Sequence, residues 1–66
     1  MLITVNGMIG DYDEETSVSQ LCQSLDLPAS GTAVAVNGSV VLKNNHESTS
    51  LKDGDVVEII RAVAGG

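Results

Sequence analysis

Apolar and polar positions along this chain change period several times, and each change marks the edge of an element. Residues 1–6 read MLITVN and run into Asn6-Gly7. Asn-Gly between two short apolar runs is the strongest local signal for a two-residue hairpin, because both turn positions need φ > 0. The pattern predicts a strand over Met1–Asn6 pairing with a second over Met8–Tyr12, with Met8, Gly10 and Tyr12 facing inward and Asp11 outward. Behind the acidic turn Asp13–Thr16, the run Ser17-Val18-Ser19-Gln20 fits a capping box, Ser17 as N-cap and Gln20 at N3. Asp13, Glu14 and Glu15 then lie near the positive end of the helix dipole. Val18, Leu21, Cys22 and Leu25 recur at i, i+3, i+4 and i+7, one apolar stripe of an amphipathic helix. Pro28 ends that helix at about Leu27, since the residue before proline avoids the helical region.

Thr32–Val36 (TAVAV) reads as the next strand, and a second Asn-Gly at Asn37-Gly38 turns it back along Ser39–Leu42. Lys43–Ser50 is a polar loop, Asp53-Gly54-Asp55 a turn, and Val56–Val63 the last strand. Within that strand Glu58 marks the solvent face, so alternation assigns Val57 and Ile59 to the core and puts Ile60 and Ala62 outside. The order is hairpin, helix, hairpin, strand. The expected fold is α+β, a mixed sheet of about five strands with one main helix across one face. A first strand at Met1 and a last strand running almost to the end both suit the middle of the sheet, which is the β-grasp arrangement. One domain is expected over residues 1–63, with residues 64–66 as a tail.

Composition sharpens this picture. With 66 residues the chain buries only about 60% of its unfolded surface, and its core must be aliphatic. It has no Phe or Trp, one aromatic residue in Tyr12, and a single cysteine, Cys22. Cys22 has no partner for an intramolecular disulfide, and with His46 alone it makes no zinc site. A hydrophobic content of 42% is too high for an unfolded acidic tail. The net charge is −6, and Lys43, Lys52 and Arg61 are spread too widely to form a basic surface. Nucleic acid and anionic membranes are therefore excluded as partners, and a basic patch on another protein is favoured. No apolar run approaches the ~20 residues of a membrane span. A secretory pattern is absent and the cysteine is unpaired, so the expected compartment is the cytoplasm.

Conventional catalytic chemistry finds no foothold. Cys22 lies on the apolar stripe with no nearby histidine or basic residue expected to lower its pKa, and reads as a packing residue. His46 adjoins no nucleophile. Asp53 and Asp55 flank a glycine turn and lack the other oxygen ligands of a calcium loop. The end of the chain, Ala64-Gly65-Gly66, is different. Two residues without side chains can thread a cleft too narrow for a Cβ, and they present an α-carboxylate that is ionised at neutral pH. Such a group becomes an electrophile once adenylated, and a sulfur nucleophile could then displace AMP. A frayed terminal Gly-Gly is the alternative that the residues alone leave open.

MLITVNG, the capped segment SVSQLCQSL, AVAVNGSVV and the ending DGDVVEIIRAVAGG together resemble the thiamine-biosynthesis sulfur carrier family, small ubiquitin-like β-grasp proteins ending in Gly-Gly. The likeness runs through essentially the whole chain in the same order. It implies a carrier that is a protein substrate, not an enzyme. An E1-like activating enzyme would use ATP to adenylate Gly66, a desulfurase system would supply sulfur, and the resulting thiocarboxylate would serve thiazole synthase. Gly66 would bear the sulfur and Gly65 give clearance, with no bound cofactor. Ile60 and Ala62, beside Glu58, form a candidate docking patch. The small subunit of molybdopterin synthase and a ubiquitin-like modifier share the Gly-Gly ending; the former is typically longer and often has proline before the tail, where this chain has Arg61-Ala62-Val63-Ala64. A monomer is expected of a carrier that visits several enzymes.

Overall fold

The computed structural model describes residues 1–27 and 32–61. Five strands, β1 (Leu2–Val5), β2 (Met8–Asp11), β3 (Thr32–Val36), β4 (Ser39–Val41) and β5 (Val56–Arg61), form one sheet in the order β2-β1-β5-β3-β4. The helix α1 (Val18–Ser24) and a short 3-10 turn (Lys43–Asn45) complete the regular structure among the described residues. β1 and β5 are central and parallel, in the register Thr4 to Val56 and Val5 to Val57. The other pairs are antiparallel. This is the mixed β-grasp sheet that the order of apolar runs predicts.

Both Asn-Gly pairs make the expected hairpins. Asn6 and Gly7 have φ of 49° and 84°, Asn37 and Gly38 51° and 85°, the left-handed pairs that match the twist of the flanking strands. The two hairpins flank β5, which pairs with β3 from Val57 to Arg61.

The core is aliphatic. Ile3, Val18, Leu21, Val34, Leu51, Val57 and Ile59 are buried, with Met1, Val5, Tyr12, Cys22, Leu27, Val36 and Val41 packed around them. Val57 and Ile59 face inward and Glu58 and Ile60 outward, as alternation requires. Gly10 also faces inward, and a Cβ there would come within 3.2 Å of the Tyr12 hydroxyl, so the glycine leaves room for that ring. Met8 shares the face of its partner Val5 but is 77% exposed. It lies at the turn end of the hairpin, where the face is right but nothing covers it.

The helix differs from its expected end. Its capping box is complete: the Ser17 amide donates to Gln20 Oε1 at 2.9 Å, and the Gln20 amide donates to Ser17 Oγ at 3.0 Å. It stops at Ser24 rather than near Leu27. Leu25 is the C-cap and Asp26 follows at φ 57°. The Asp26 amide donates to the Gln23 carbonyl and the Leu27 amide to the Cys22 carbonyl, both at 3.0 Å. That pair of bonds is a Schellman motif. Leu25 is thereby carried off the stripe into solvent, and Leu27 returns to the core in its place. Pro28, the expected stop, lies outside the described residues.

The polar segment before β5 is an integral part of the fold. Leu51 is 3% exposed. The Val18 and Ser19 amides at the start of α1 donate to the Thr49 and His46 carbonyls, each at 2.9 Å. With the Ser17 hydroxyl on Gln20, these acceptors satisfy the first helical N–H groups. Asp13, Glu14 and Glu15 are exposed and precede the helix without entering its first turn.

Candidate functional site

The strand that leads toward the Gly-Gly ending is held by asparagine side chains at its start, Val56, and again at Ile59. At its start, the Val56 amide donates to Asn37 Oδ1 at 2.9 Å, and the Asn37 amide donates to the Val56 carbonyl at 2.7 Å. Asn37 Nδ2 also donates to Asp55 Oδ1 at 3.0 Å, while Asp55 Oδ2 accepts from the Lys52 amide at 2.8 Å. Asp53 Oδ1 accepts from the Leu2 amide at 2.7 Å. Both aspartates thus serve as turn residues, the role their position around Gly54 suggests.

Farther along, the Ile59 amide donates to Asn6 Oδ1 at 2.8 Å, and Asn6 Nδ2 lies 3.4 Å from the Ile59 carbonyl. Neither asparagine role is evident from a hairpin signal, which asks only for residues that tolerate φ > 0. The available clue is that both turns carry Asn where Gly or Asp would also serve.

Among the expected site residues, Glu58 and Ile60 lie together on the sheet face opposite α1. Ile60 is 60% exposed, and Leu2, Ile9, Val40 and Val56 on the same side of the molecule are exposed as well. Glu58 is therefore the acidic residue of an otherwise apolar stretch of β5. Ala62, Gly65 and Gly66 lie outside the described residues.

Cys22 and His46, apart in the sequence, line one cleft of about 340 Å³ with Lys43 and Glu47. The expectation that Cys22 has neither histidine nor basic residue nearby is thus corrected: the segment after β4 folds back over α1 through the Ser19–His46 hydrogen bond. The chemistry stays unactivated. Burial raises the Cys22 thiol above its ordinary pKa, the reverse of what a nucleophilic thiolate requires. His46 Nε2 lies 3.1 Å from the Val41 carbonyl and acts as donor there. Among the described residues no group of three His, Cys, Asp or Glu could hold a metal ion, and no helix is long and apolar enough to cross a membrane.

A five-stranded sheet with parallel central strands and one helix across one face defines the ubiquitin-like β-grasp class. The ThiS family profile matches residues 3–66, and the chain belongs to that family. Among solved structures, the crystal structure of the thiamine biosynthesis protein ThiS from Geobacter metallireducens is 33% identical, with a TM-score of 0.84 and full coverage of both chains. A solution structure of a thiamine biosynthesis protein from the same organism is 35% identical, with a TM-score of 0.82, and covers all of this chain and 88% of the other. None of the curated proteins compared matches this chain.

Proposed function

We propose that this protein is a sulfur carrier of thiamine biosynthesis whose working group is the Gly66 carboxylate. The observation that carries this reading is the family match running through Gly66. β5 supports it, because a central strand paired on both sides is a firm base for the residues that follow Arg61.

The chemistry begins with the Gly66 carboxylate attacking the α-phosphorus of ATP on an E1-like activating enzyme, with pyrophosphate leaving. Sulfur from a desulfurase system, brought to the hydrosulfide level when a thiol reduces its persulfide, adds to the acyl carbon, AMP departs, and a thiocarboxylate results. Thiazole synthase then receives the sulfur. The carrier supplies no acid, base or metal to these steps. Gly65 lets the terminus pass through a narrow channel, and Glu58, Ile60 and Ala62 form the docking patch beside it.

The test is the intact mass of the protein purified from its own cells, with fragmentation of the C-terminal peptide, followed by reaction with ATP and the activating enzyme. Replacement of one oxygen by sulfur at Gly66, or ATP-dependent adenylation there, is expected. Removing Gly66 abolishes AMP formation while leaving the fold intact. A Gly66-deleted protein that still supports normal AMP formation would exclude this function.

A further inference from the structure

The two asparagine clamps on β5 look alike but act at different points, Val56 and Ile59, and the one at Ile59 is nearer in the chain to Gly66. On its β1 side, β5 is paired through the Asp55 and Val57 carbonyls, which accept from the Thr4 and Asn6 amides at 3.0 and 2.9 Å. The next groups on that side belong to Ile59. β1 cannot reach them, because the chain turns away at Asn6-Gly7. The Asn6 carboxamide takes the place of the missing peptide, accepting from the Ile59 amide at 2.8 Å and pointing its NH₂ at the Ile59 carbonyl. On the opposite side the described pairing with β3 reaches Thr32, opposite Arg61. Among the described residues, β5 is therefore partnered as far as Arg61 on one side and as far as Ile59 on the other, the latter through a side chain.

We infer that Asn6 is a positioning residue: its side chain holds β5 at Ile59 and so orders the strand from which the C-terminal residues continue. This rests on the carrier reading for its functional consequence. The turn itself does not explain the residue, since Gly and Asp also adopt the left-handed conformation. What asparagine adds is an acceptor and a donor in the geometry of a peptide unit. Without it, the Ile59 groups have only water as partner, and the strand frays from its last residues inward. A frayed strand adds freedom that must be frozen when the terminus enters a partner's active site. Docking through the sheet face is unaffected, so the loss falls on turnover rather than on affinity.

Asn37 provides an internal control. It likewise sits at the first position of an Asn-Gly turn and likewise accepts from a β5 amide, but at the start of the strand. Asn6→Gly and Asn37→Gly each keep a permissible turn and each remove one side-chain clamp. Full-length variants would be compared by native-state amide exchange at Ile59–Arg61 and by pyrophosphate release with ATP and the activating enzyme. Asn6→Gly should speed Ile59 exchange beyond any change in global stability and lower kcat about three- to tenfold, with KM changed by less than about twofold. Asn37→Gly should keep the wild-type kcat. Asn6→Asp keeps the acceptor for the Ile59 amide and should recover most of the turnover.

An unchanged kcat in Asn6→Gly, or an equal loss in both glycine variants, would overturn the inference. If the wild-type chain releases no pyrophosphate, the carrier reading fails on its own. The exchange data still decide the structural part: Ile59 protection that survives Asn6→Gly would show that the side chain does not hold the strand.

Discussion

Leu51 stands alone as an apolar residue between Lys43 and Asp55, and that isolation is the signal that it anchors the segment. With Leu51 buried at 3%, Leu51→Ala should cost about 2–5 kcal/mol from lost transfer energy and the cavity left behind. Urea unfolding monitored by circular dichroism measures it. Cys22 makes a different residue-scale point. Burial raises its thiol pKa, so the folded state holds the proton more tightly than the unfolded state. That stabilising contribution is complete at neutral pH and is lost as pH rises from the unfolded thiol's pKa through the folded one. Alkylation of Cys22 at neutral pH should accordingly be slower than that of a free thiol; equal rates would contradict the burial.

At the scale of elements, the helix was legible at its start and not at its end. A capping box is a four-residue pattern whose partners are local, and Ser17 and Gln20 make both of its bonds. The C-terminus turns on which residue adopts the left-handed conformation, and here Asp26 does so without being the glycine that would announce it. Asp26 also places a negative charge at the negative end of the dipole. Asp26→Gly relieves both penalties and is expected to raise stability by about 0.5–1 kcal/mol, read as a higher urea midpoint. Met8 on β2 teaches a similar lesson: alternation fixed its face, while burial depended on what lies over that face.

For the whole molecule, the sheet has a face packed on α1 and a face exposing Ile9, Val40, Val56 and Ile60. Ile60→Asp changes a solvent-facing residue, so its stability cost should not exceed about 1 kcal/mol, while binding to the activating enzyme weakens. Titration calorimetry against that enzyme, paired with thermal unfolding, separates the two effects. A large stability loss would mean that Ile60 is a core residue after all. The charge of −6 adds a long-range term. Association with a partner that presents a basic surface should slow as salt is added, because steering is screened over about 10 Å at 0.1 M; salt-independent rates would remove it.

The sequence by itself determined the hairpins, the helix start, the inward faces of β5 and the family, because each rests on residues close along the chain or on the order of elements. Asn-Gly specifies its own turn, and Val57, Glu58, Ile59 and Ile60 alternate whatever surrounds them. Tertiary structure decided what those local patterns cannot contain. The clamp from Asn6 to Ile59 spans 53 positions. The meeting of Cys22 with His46 likewise requires the segment after β4 to fold over α1, and the burial of Leu51 requires the assembled core. A hydrogen bond or a packing contact between distant residues leaves no periodicity in the chain, since its geometry exists only once the sheet has formed.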